Sequence, residues 1–141
     1  MYITYYQSPI GRILILTDAT ALLGLWLEGQ KYYGAGYDLE QAQEGETAVS
    51  RRVFTWLDAY FKGENPATDE IPLAPQVTEF RSKVLTVLQK IPYGQTATYS
   101  DILRELQAEY GKIGSARAVG GAIGHNPISL LIPCHRIVGS D

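Results

Sequence analysis

The N-terminal part of the chain alternates between short apolar runs and turn signals, a pattern typical of consecutive β-hairpins. Runs rich in β-branched, leucine and aromatic residues predict three strands at 2–6, 12–17 and 22–27. Ser8-Pro9-Ile10-Gly11 supplies a turn between the first two strands, and a second turn is expected near Asp18. The pattern therefore predicts a small antiparallel sheet.

After residue 46 the apolar spacing changes to that of an amphipathic helix. Apolar side chains recur three and four positions apart from Thr47 onward, and Gly63 with Pro66 ends the run. This helix is expected to cover the sheet. Residues 28–46 have no clear period and predict a loop that contains at most a short helix. The apolar stripe consists of Val49, Val53, Trp56, Leu57 and Tyr60.

Three prolines lie within residues 65–75, and a new helical pattern begins after them. Such a proline-rich segment between two periodic regions predicts a linker. We therefore predict two domains, 1–70 and 71–141. The expected fold class is α+β, with a small antiparallel sheet and its covering helix followed by a mainly helical domain.

The second domain shows three helical segments in succession. Thr78 is the predicted N-cap of a helix that ends near Pro92, and Ser100 is the predicted N-cap of the next. A glycine-bearing turn at 110–114 precedes Ser115, which is expected to cap a third helix over 116–124. Helix, short turn and helix is the outline of a helix-turn-helix.

The third helix is nearly bare of side chains. Gly120 and Gly121 are adjacent in it, and each glycine costs roughly 0.5–1 kcal/mol of helix stability relative to alanine. Two explanations are open: close packing against another helix, or close approach of the helix to a groove of DNA. Arg117 is the only long cation on the helix. Its other small residues are Ala116, Ala118 and Ala122.

Charge is distributed unevenly along the chain. The formal net charge of -3 argues against a generic nucleic-acid binder, since such proteins usually carry a basic excess. Residues 1–77, however, hold five basic and ten acidic side chains, a balance of -5, whereas residues 78–141 hold seven basic and five acidic, a balance of +2. Only the second half is therefore expected to approach phosphates.

Cys134 is the single cysteine, so no internal disulfide can form and the thiol is either a reactive group or a small buried side chain. A free thiol has a pKa of about 8.5, so its use as a nucleophile requires a base that removes the proton or a nearby cation that stabilises the thiolate. His135 and Arg136 follow it directly, although adjacency alone is weak evidence for a catalytic pair. With His125 as the only other strong ligand, no metal site and no cofactor are predicted.

Three strings of the second half carry a specific pattern together: Ala116-Arg117-Ala118-Val119-Gly120-Gly121-Ala122, His125-Asn126-Pro127, and Ile132-Pro133-Cys134-His135-Arg136-Ile137-Val138-Gly139. They closely resemble the O6-alkylguanine-DNA alkyltransferases, also called methylated-DNA-protein-cysteine methyltransferases. Ile91-Pro92-Tyr93-Gly94-Gln95-Thr96, Thr98-Tyr99-Ser100, Ser8-Pro9-Ile10-Gly11 and Gly24-Leu25-Trp26 are similar to other segments of that family. The resemblance spans nearly the whole chain and implies a ribonuclease-H-like first domain.

The resemblance also implies a role for individual residues. Cys134 would accept the alkyl group, and His135 would generate its thiolate through a water. Tyr99 would contact the phosphate beside the flipped nucleotide and act as donor to guanine N3, and Arg117 would fill the space that the guanine leaves. Asn126 would shape the hinge between the third helix and the active-site strand. Ser100 and Ser140 would contact the DNA backbone or the rim of the substrate site.

The implied function is DNA repair, in which an alkyl group moves irreversibly from O6 of guanine, and more weakly from O4 of thymine, to Cys134. The expected partner is double-stranded DNA carrying O6-alkylguanine. The expected location is cytoplasmic, because no run of about 18 apolar residues or signal peptide occurs. Members of the family usually have a further loop and helix after the segment that ends here at Asp141. Without them apolar surface would be exposed, so the protein is expected to be a monomer for which self-association stays open.

Three other functions stay open at this point. A non-catalytic sensor of alkylated bases would bind damaged DNA without transfer. A cysteine hydrolase would need a histidine oriented by an Asn or Asp. A helix-turn-helix regulator would need several base-reading side chains on the third helix, where Arg117 stands alone.

Overall fold

The computed structural model describes residues 1–34, 36–92 and 94–133 in full, together with the backbone of residues 137–138. The chain forms two compact units, Met1–Gln76 and Val77–Asp141. The α+β class predicted from the sequence is confirmed, with the sheet in the first unit and the helix-turn-helix outline in the second.

The first unit contains a four-stranded sheet in the order β3-β2-β1-β4. Strands β1 (Tyr2–Ser8), β2 (Gly11–Thr17) and β3 (Leu22–Leu27) are antiparallel neighbours, as the two predicted hairpins require. The structure adds a short fourth strand, β4 (Gln43–Glu44), which runs parallel to β1 and makes the sheet mixed. Two residues carry no periodic signal, so this strand arises from tertiary pairing.

The sheet is covered on both faces, which explains why β2 is apolar without alternation. Residues 13–16 are fully buried, and successive side chains of a strand point to opposite faces. On one face, partly buried Tyr33, Tyr37 and Leu39 from the loop pack against a cluster formed with Trp26. The ring of Trp26 lies over Gly24, where an added Cβ would come within 2.0 Å of it. Strand β3 therefore requires glycine at that position.

Helix α1 (Ala48–Phe61) also contacts β2, as the predicted covering helix should. It begins in a capping box, because the Thr47 hydroxyl accepts from the Ser50 amide while the Ser50 hydroxyl accepts from the Thr47 amide. The predicted loop 28–46 contains a short 3-10 helix, Leu39–Gln41. All but one member of the predicted apolar stripe of α1 are buried: Val49, Val53, Trp56 and Leu57.

The proline-rich segment is bonded to the edge of the sheet. Leu22 donates its amide to the Pro72 carbonyl at 2.8 Å, and its carbonyl accepts from the Ala74 amide at 2.9 Å. Ile71 is buried as well. The last residues of this segment therefore belong to the packed structure of the first unit.

The second unit is built from three helices and a two-stranded parallel sheet. Helices α2 (Glu79–Leu88), α3 (Tyr99–Tyr110) and α4 (Ala116–Gly124) contact one another pairwise. Strand β5 (Ala97–Thr98) pairs in parallel with β6 (Ile137–Val138). Among the described residues, no helix is long and apolar enough to cross a bilayer.

Two of the three predicted helix caps in this unit are confirmed, and one is wrong. Thr78 and Ser115 accept from the amides three residues ahead of them, as N-caps do. Helix α3, however, is capped by Thr98 and not by Ser100, which lies inside its first turn. Thr98 is the N-cap because Asp101, three positions later, completes a capping box with it. The residue three positions after Ser100 is Leu103, which cannot do so.

Candidate functional site

Four of the seven residues that sequence analysis assigned to the site lie in the described part of the chain, all in the second unit. They are Tyr99 and Ser100 in the first turn of α3, Arg117 in the first turn of α4, and Asn126 just after α4. Cys134, His135 and Ser140 lie outside the described residues. The described part of the candidate site therefore consists of elements before and after Cys134 in the sequence.

Asn126 ties the loop that leads toward Cys134 into a compact turn. Its side chain is 3% exposed, and its amide nitrogen donates to the Ile132 carbonyl at 3.0 Å. Its side-chain oxygen accepts from the Ile128 amide, also at 3.0 Å. Both polar ends of a buried amide are thus satisfied within one loop, which fixes the position of the backbone two residues before Cys134.

This loop forms no β-strand of its own within residues 126–133. The apolar run 128–132 folds as turns, with the Ile132 amide bonded to the Ile128 carbonyl at 3.2 Å. Leu130 has a φ of 70°, in the left-handed region that costs a non-glycine residue about 1 kcal/mol or more. The hydrogen bonds of Asn126 and the burial of Ile128, Leu131 and Ile132 hold the chain in this conformation.

The described chain resumes after Cys134 in a paired strand. Strand β6 begins three residues after Cys134, and its Val138 is the register partner of Thr98 in β5. Helix α3 starts at the next residue, Tyr99. The parallel pairing therefore brings residues 137–138 beside the N-terminus of α3.

Tyr99 lies against α4. A Cβ built on Gly120 would be 3.9 Å from a ring carbon of Tyr99, an ordinary van der Waals distance. Tyr99 itself is half-buried, as is Ser100. The first turn of α3 therefore contacts the middle of α4, and β6 ends beside the residue that precedes this turn.

The bare helix α4 turns an open face outward. Nothing in the described structure lies within 4 Å of a Cβ built on Gly121, and Arg117 and Ala118 are exposed. The opposite stripe, Val119, Ala122 and Ile123, is buried. Tight helix packing, one of the two explanations for the adjacent glycines, therefore does not account for Gly121.

Arg117 differs from three other cations of this unit in its charge partners. Lys83, Lys90 and Arg104 each pair with a carboxylate on α2 or α3, namely Glu79, Glu109 and Asp101. Within residues 77–92 and 94–133, Arg117 has no carboxylate within ion-pair distance. Its guanidinium stands on the open face of α4 with its charge available to an anionic partner.

Sequence analysis missed the pairing of β5 with β6 and the cap at Thr98. The first is a long-range contact between two-residue strands, for which the sequence holds no signal. The second had one, because Thr98-x-x-Asp101 matches a capping box with an acidic third residue. Within the part of the chain that the structure describes, no three His, Cys, Asp or Glu side chains are grouped so that they could hold a metal ion.

The capping box predicts a pH dependence. The Thr98 amide donates to Asp101 at 2.9 Å, and this bond, with help from the Thr98 hydroxyl and Arg104, lowers the pKa of Asp101. A carboxylate with a lowered folded-state pKa stabilises the fold above its unfolded pKa of about 3.9, and this stability is lost as the pH falls through the folded value. Asp101→Asn should therefore unfold at lower urea concentration than the parent at pH 7.

The difference between the two proteins should shrink as the pH falls below about 3.9 and through the lowered pKa of Asp101 in the folded protein, because the parent then loses the same charge. Urea titrations of both proteins across this range measure it. A gap that stays constant with pH would assign the stabilising effect to the hydrogen bonds and not to the charge.

Comparison with known proteins finds relatives along the whole chain. Residues 1–75 match the family described as "6-O-methylguanine DNA methyltransferase, ribonuclease-like domain". Residues 79–141 match "6-O-methylguanine DNA methyltransferase, DNA binding domain". The two matches divide the chain close to the boundary between its compact units.

Individual relatives agree with this result. The chain is 38% identical over 141 residues to the methylated-DNA--protein-cysteine methyltransferase of Haemophilus influenzae. The alignment covers 100% of this chain and 75% of that protein. It is 44% identical over 135 residues to the enzyme of the same name from Mycobacterium bovis, covering 96% of this chain and 76% of that one. A crystal structure of Mycobacterium tuberculosis OGT in complex with DNA superposes with a TM-score of 0.84 at 34% identity, over 99% of this chain and 80% of that chain.

Proposed function

Because the chain belongs to the 6-O-methylguanine DNA methyltransferase family, we propose that it repairs DNA by taking an alkyl group from O6 of guanine onto Cys134. The proposed substrate is O6-alkylguanine in duplex DNA, with O4-alkylthymine as a weaker one. The observation that supports this best is the braced loop 126–132, which ends two residues before Cys134 in the same unit as the open face of α4.

The reaction is a displacement at the alkyl carbon. His135, through a water, takes the proton of the Cys134 thiol, and the thiolate forms a carbon–sulfur bond while the bond from that carbon to O6 breaks. The electron pair goes to the guanine, whose N3 takes a proton from Tyr99. The product is a thioether that neither eliminates nor hydrolyses readily. Each protein molecule therefore acts once.

Base flipping provides access to the reacting carbon, because an alkyl group inside the stacked duplex is out of reach of a protein thiolate. Helix α4 suits this step, since its open face at Gly121 can approach a narrow groove and Arg117 can enter the stack. Tyr99 would contact the phosphate next to the flipped nucleotide, and Ser100 and Ser140 would contact the backbone or the substrate rim. Asn126 would hold the loop in register.

These roles assign DNA binding and chemistry to the predicted domain 71–141 and a structural role to 1–70. They require no metal and no cofactor, because the nucleophile and the proton donors are side chains of the chain itself. A DNA-repair role fits a monomer in the cytoplasm. The basic balance of the second half favours contact with phosphates.

Mass spectrometry of the intact protein tests the proposal. Incubation with a duplex oligonucleotide carrying one O6-methylguanine should add one methyl group per protein, and peptide mapping should locate it on Cys134. Cys134→Ser is the matched control and should stay unmodified, since a serine hydroxyl is far less acidic and less nucleophilic than a cysteine thiol even with the same histidine as base. Damaged-DNA binding without any adduct would favour the non-catalytic sensor, and repeated ester or peptide hydrolysis would favour a cysteine hydrolase.

Two substitutions at Gly121 distinguish the effect of this position on helix stability from its effect on contact with the DNA groove. Gly121→Ala should raise the stability of the folded chain by about 0.5–1 kcal/mol, because the new methyl group meets open space and alanine is the better helix former. Gly121→Leu should fold normally but lose transfer from duplex DNA, since its side chain holds α4 away from the groove. Thermal unfolding and transfer rates measure both effects, with a free alkylated base as the control substrate. Unimpaired duplex repair by Gly121→Leu would contradict the assignment of this face.

A further inference from the structure

The turn between α3 and α4 is held in place by the first turn of α2. Gly114, in this turn, has a φ of +67°, and a Cβ built on it would lie 2.5 Å from one ring carbon of Phe80 and 2.7 Å from the next. The aromatic ring of Phe80 therefore occupies the space that any larger residue at position 114 would need. Both the backbone conformation and the space require glycine there.

A second contact from α2 reaches the other end of the same turn. The ammonium group of Lys83 lies 4.9 Å from the centre of the Tyr110 ring, within range of a cation–π interaction. Tyr110 is the last residue of α3, and Lys83 also pairs with Glu79 at 3.4 Å. Residues of α2 thus contact the turn where it leaves α3 and again just before α4.

We propose that Phe80 and Gly114 are positioning residues that set the direction of α4 toward DNA. This inference rests on the proposed function. Ser115 caps α4 immediately after Gly114, and Arg117 follows three residues after the contact. A displacement of the turn would therefore be passed directly to the start of α4 and to its outward guanidinium.

The contact lies outside the packed interior of this unit. Phe80 is half-buried and Gly114 is exposed, whereas the buried face of α2 is formed by other residues. Those interior side chains, which hold the three helices together, are Val84, Leu85, Val87 and Leu88. A change at Phe80 or Gly114 should therefore alter how α4 meets a partner more than it alters the folding of the unit.

Gly114→Ala tests the inference through the ratio of two rates. Transfer from an O6-methylguanine duplex should fall about 10-fold or more, because small displacements of a positioned group cost rate steeply. Transfer from free O6-benzylguanine, which needs no contact with α4, should stay within about 2-fold of the parent. Gly63→Ala is the matched control: Gly63 has a φ of +84° with nothing within 4 Å, so it carries a similar backbone strain in the first unit.

Phe80→Leu provides a second variant without backbone strain and should shift the same ratio in the same direction. Equal losses on both substrates, or a duplex rate equal to that of Gly63→Ala, would overturn the positioning role and leave the proposed function intact. Failure of the parent protein to form any adduct would refute the proposed function. In that case the affinities of the parent and of Gly114→Ala for undamaged duplex DNA are compared. Weaker binding by Gly114→Ala supports the positioning role, and equal binding overturns it.

Discussion

Replacing Arg117 with alanine is expected to slow alkyl transfer from duplex DNA by about 30- to 100-fold, because a flipped base leaves a gap whose unstacking costs a few kcal/mol. Arg117 is exposed on the open face of α4 and meets no carboxylate in the described part of the second unit, so its guanidinium is available to fill that gap. Transfer from free O6-benzylguanine should be nearly unchanged. Single-turnover rates on both substrates give the measurement.

Two matched variants distinguish the gap-filling role of Arg117, here called the finger role, from a simple effect of its charge. Arg117→Lys keeps the charge but lacks the planar group that stacks between bases, so it should recover only part of the lost rate. Lys112→Ala removes an exposed cation from the neighbouring turn and should weaken duplex binding only slightly and in a salt-dependent manner. Equal losses on duplex and free base in Arg117→Ala would eliminate the finger role.

Local patterns predicted the elements whose boundaries are set by nearby residues. The apolar spacing of α1, the N-caps Thr78 and Ser115, and the turn residues of the two hairpins all act within a few positions along the chain. In each case the residue that ends or begins the element is adjacent to the pattern that defines it. These features were confirmed without long-range information.

Other features depend on contacts between distant parts of the chain. Strand β4 exists because Gln43 lies beside β1, and β5 exists because residues 137–138 return to it. The apolar run 128–132 folds as turns, and the side chain of Asn126 bonds across it. Hydrophobicity alone does not distinguish a buried strand from a buried turn.

The candidate site likewise combines features that the local sequence predicts with features that only the structure shows. The second half of the chain matches the family, and the structure places the loop 126–132 that precedes Cys134. Whether Gly121 packs against a helix or faces outward could not be decided from composition, because both arrangements favour small residues. The open space beside it decides for an outward face, and that face carries Arg117.

Replacing Asn126 with alanine is expected to destabilise the chain by about 2–4 kcal/mol, because it leaves the buried Ile128 amide and Ile132 carbonyl without partners, at roughly 1–3 kcal/mol each. The loop would lose the bonds that fix its path toward Cys134. Transfer to Cys134 should therefore fall on free O6-benzylguanine as well as on duplex DNA, unlike the selective effect at Arg117. Urea unfolding and the two transfer rates measure this.

Asn126→Asp divides the two bonds, since a carboxylate still accepts from the Ile128 amide but cannot donate to the Ile132 carbonyl. It should lie between the parent and Asn126→Ala in transfer rate at pH values where the loop remains folded. Ile132→Val is the matched control, because it removes one buried methyl group from the same loop at about 0.5–1.5 kcal/mol without touching a hydrogen bond. If Ile132→Val slowed transfer as much as Asn126→Ala, general destabilisation of the loop, and not the amide brace, would account for the effect.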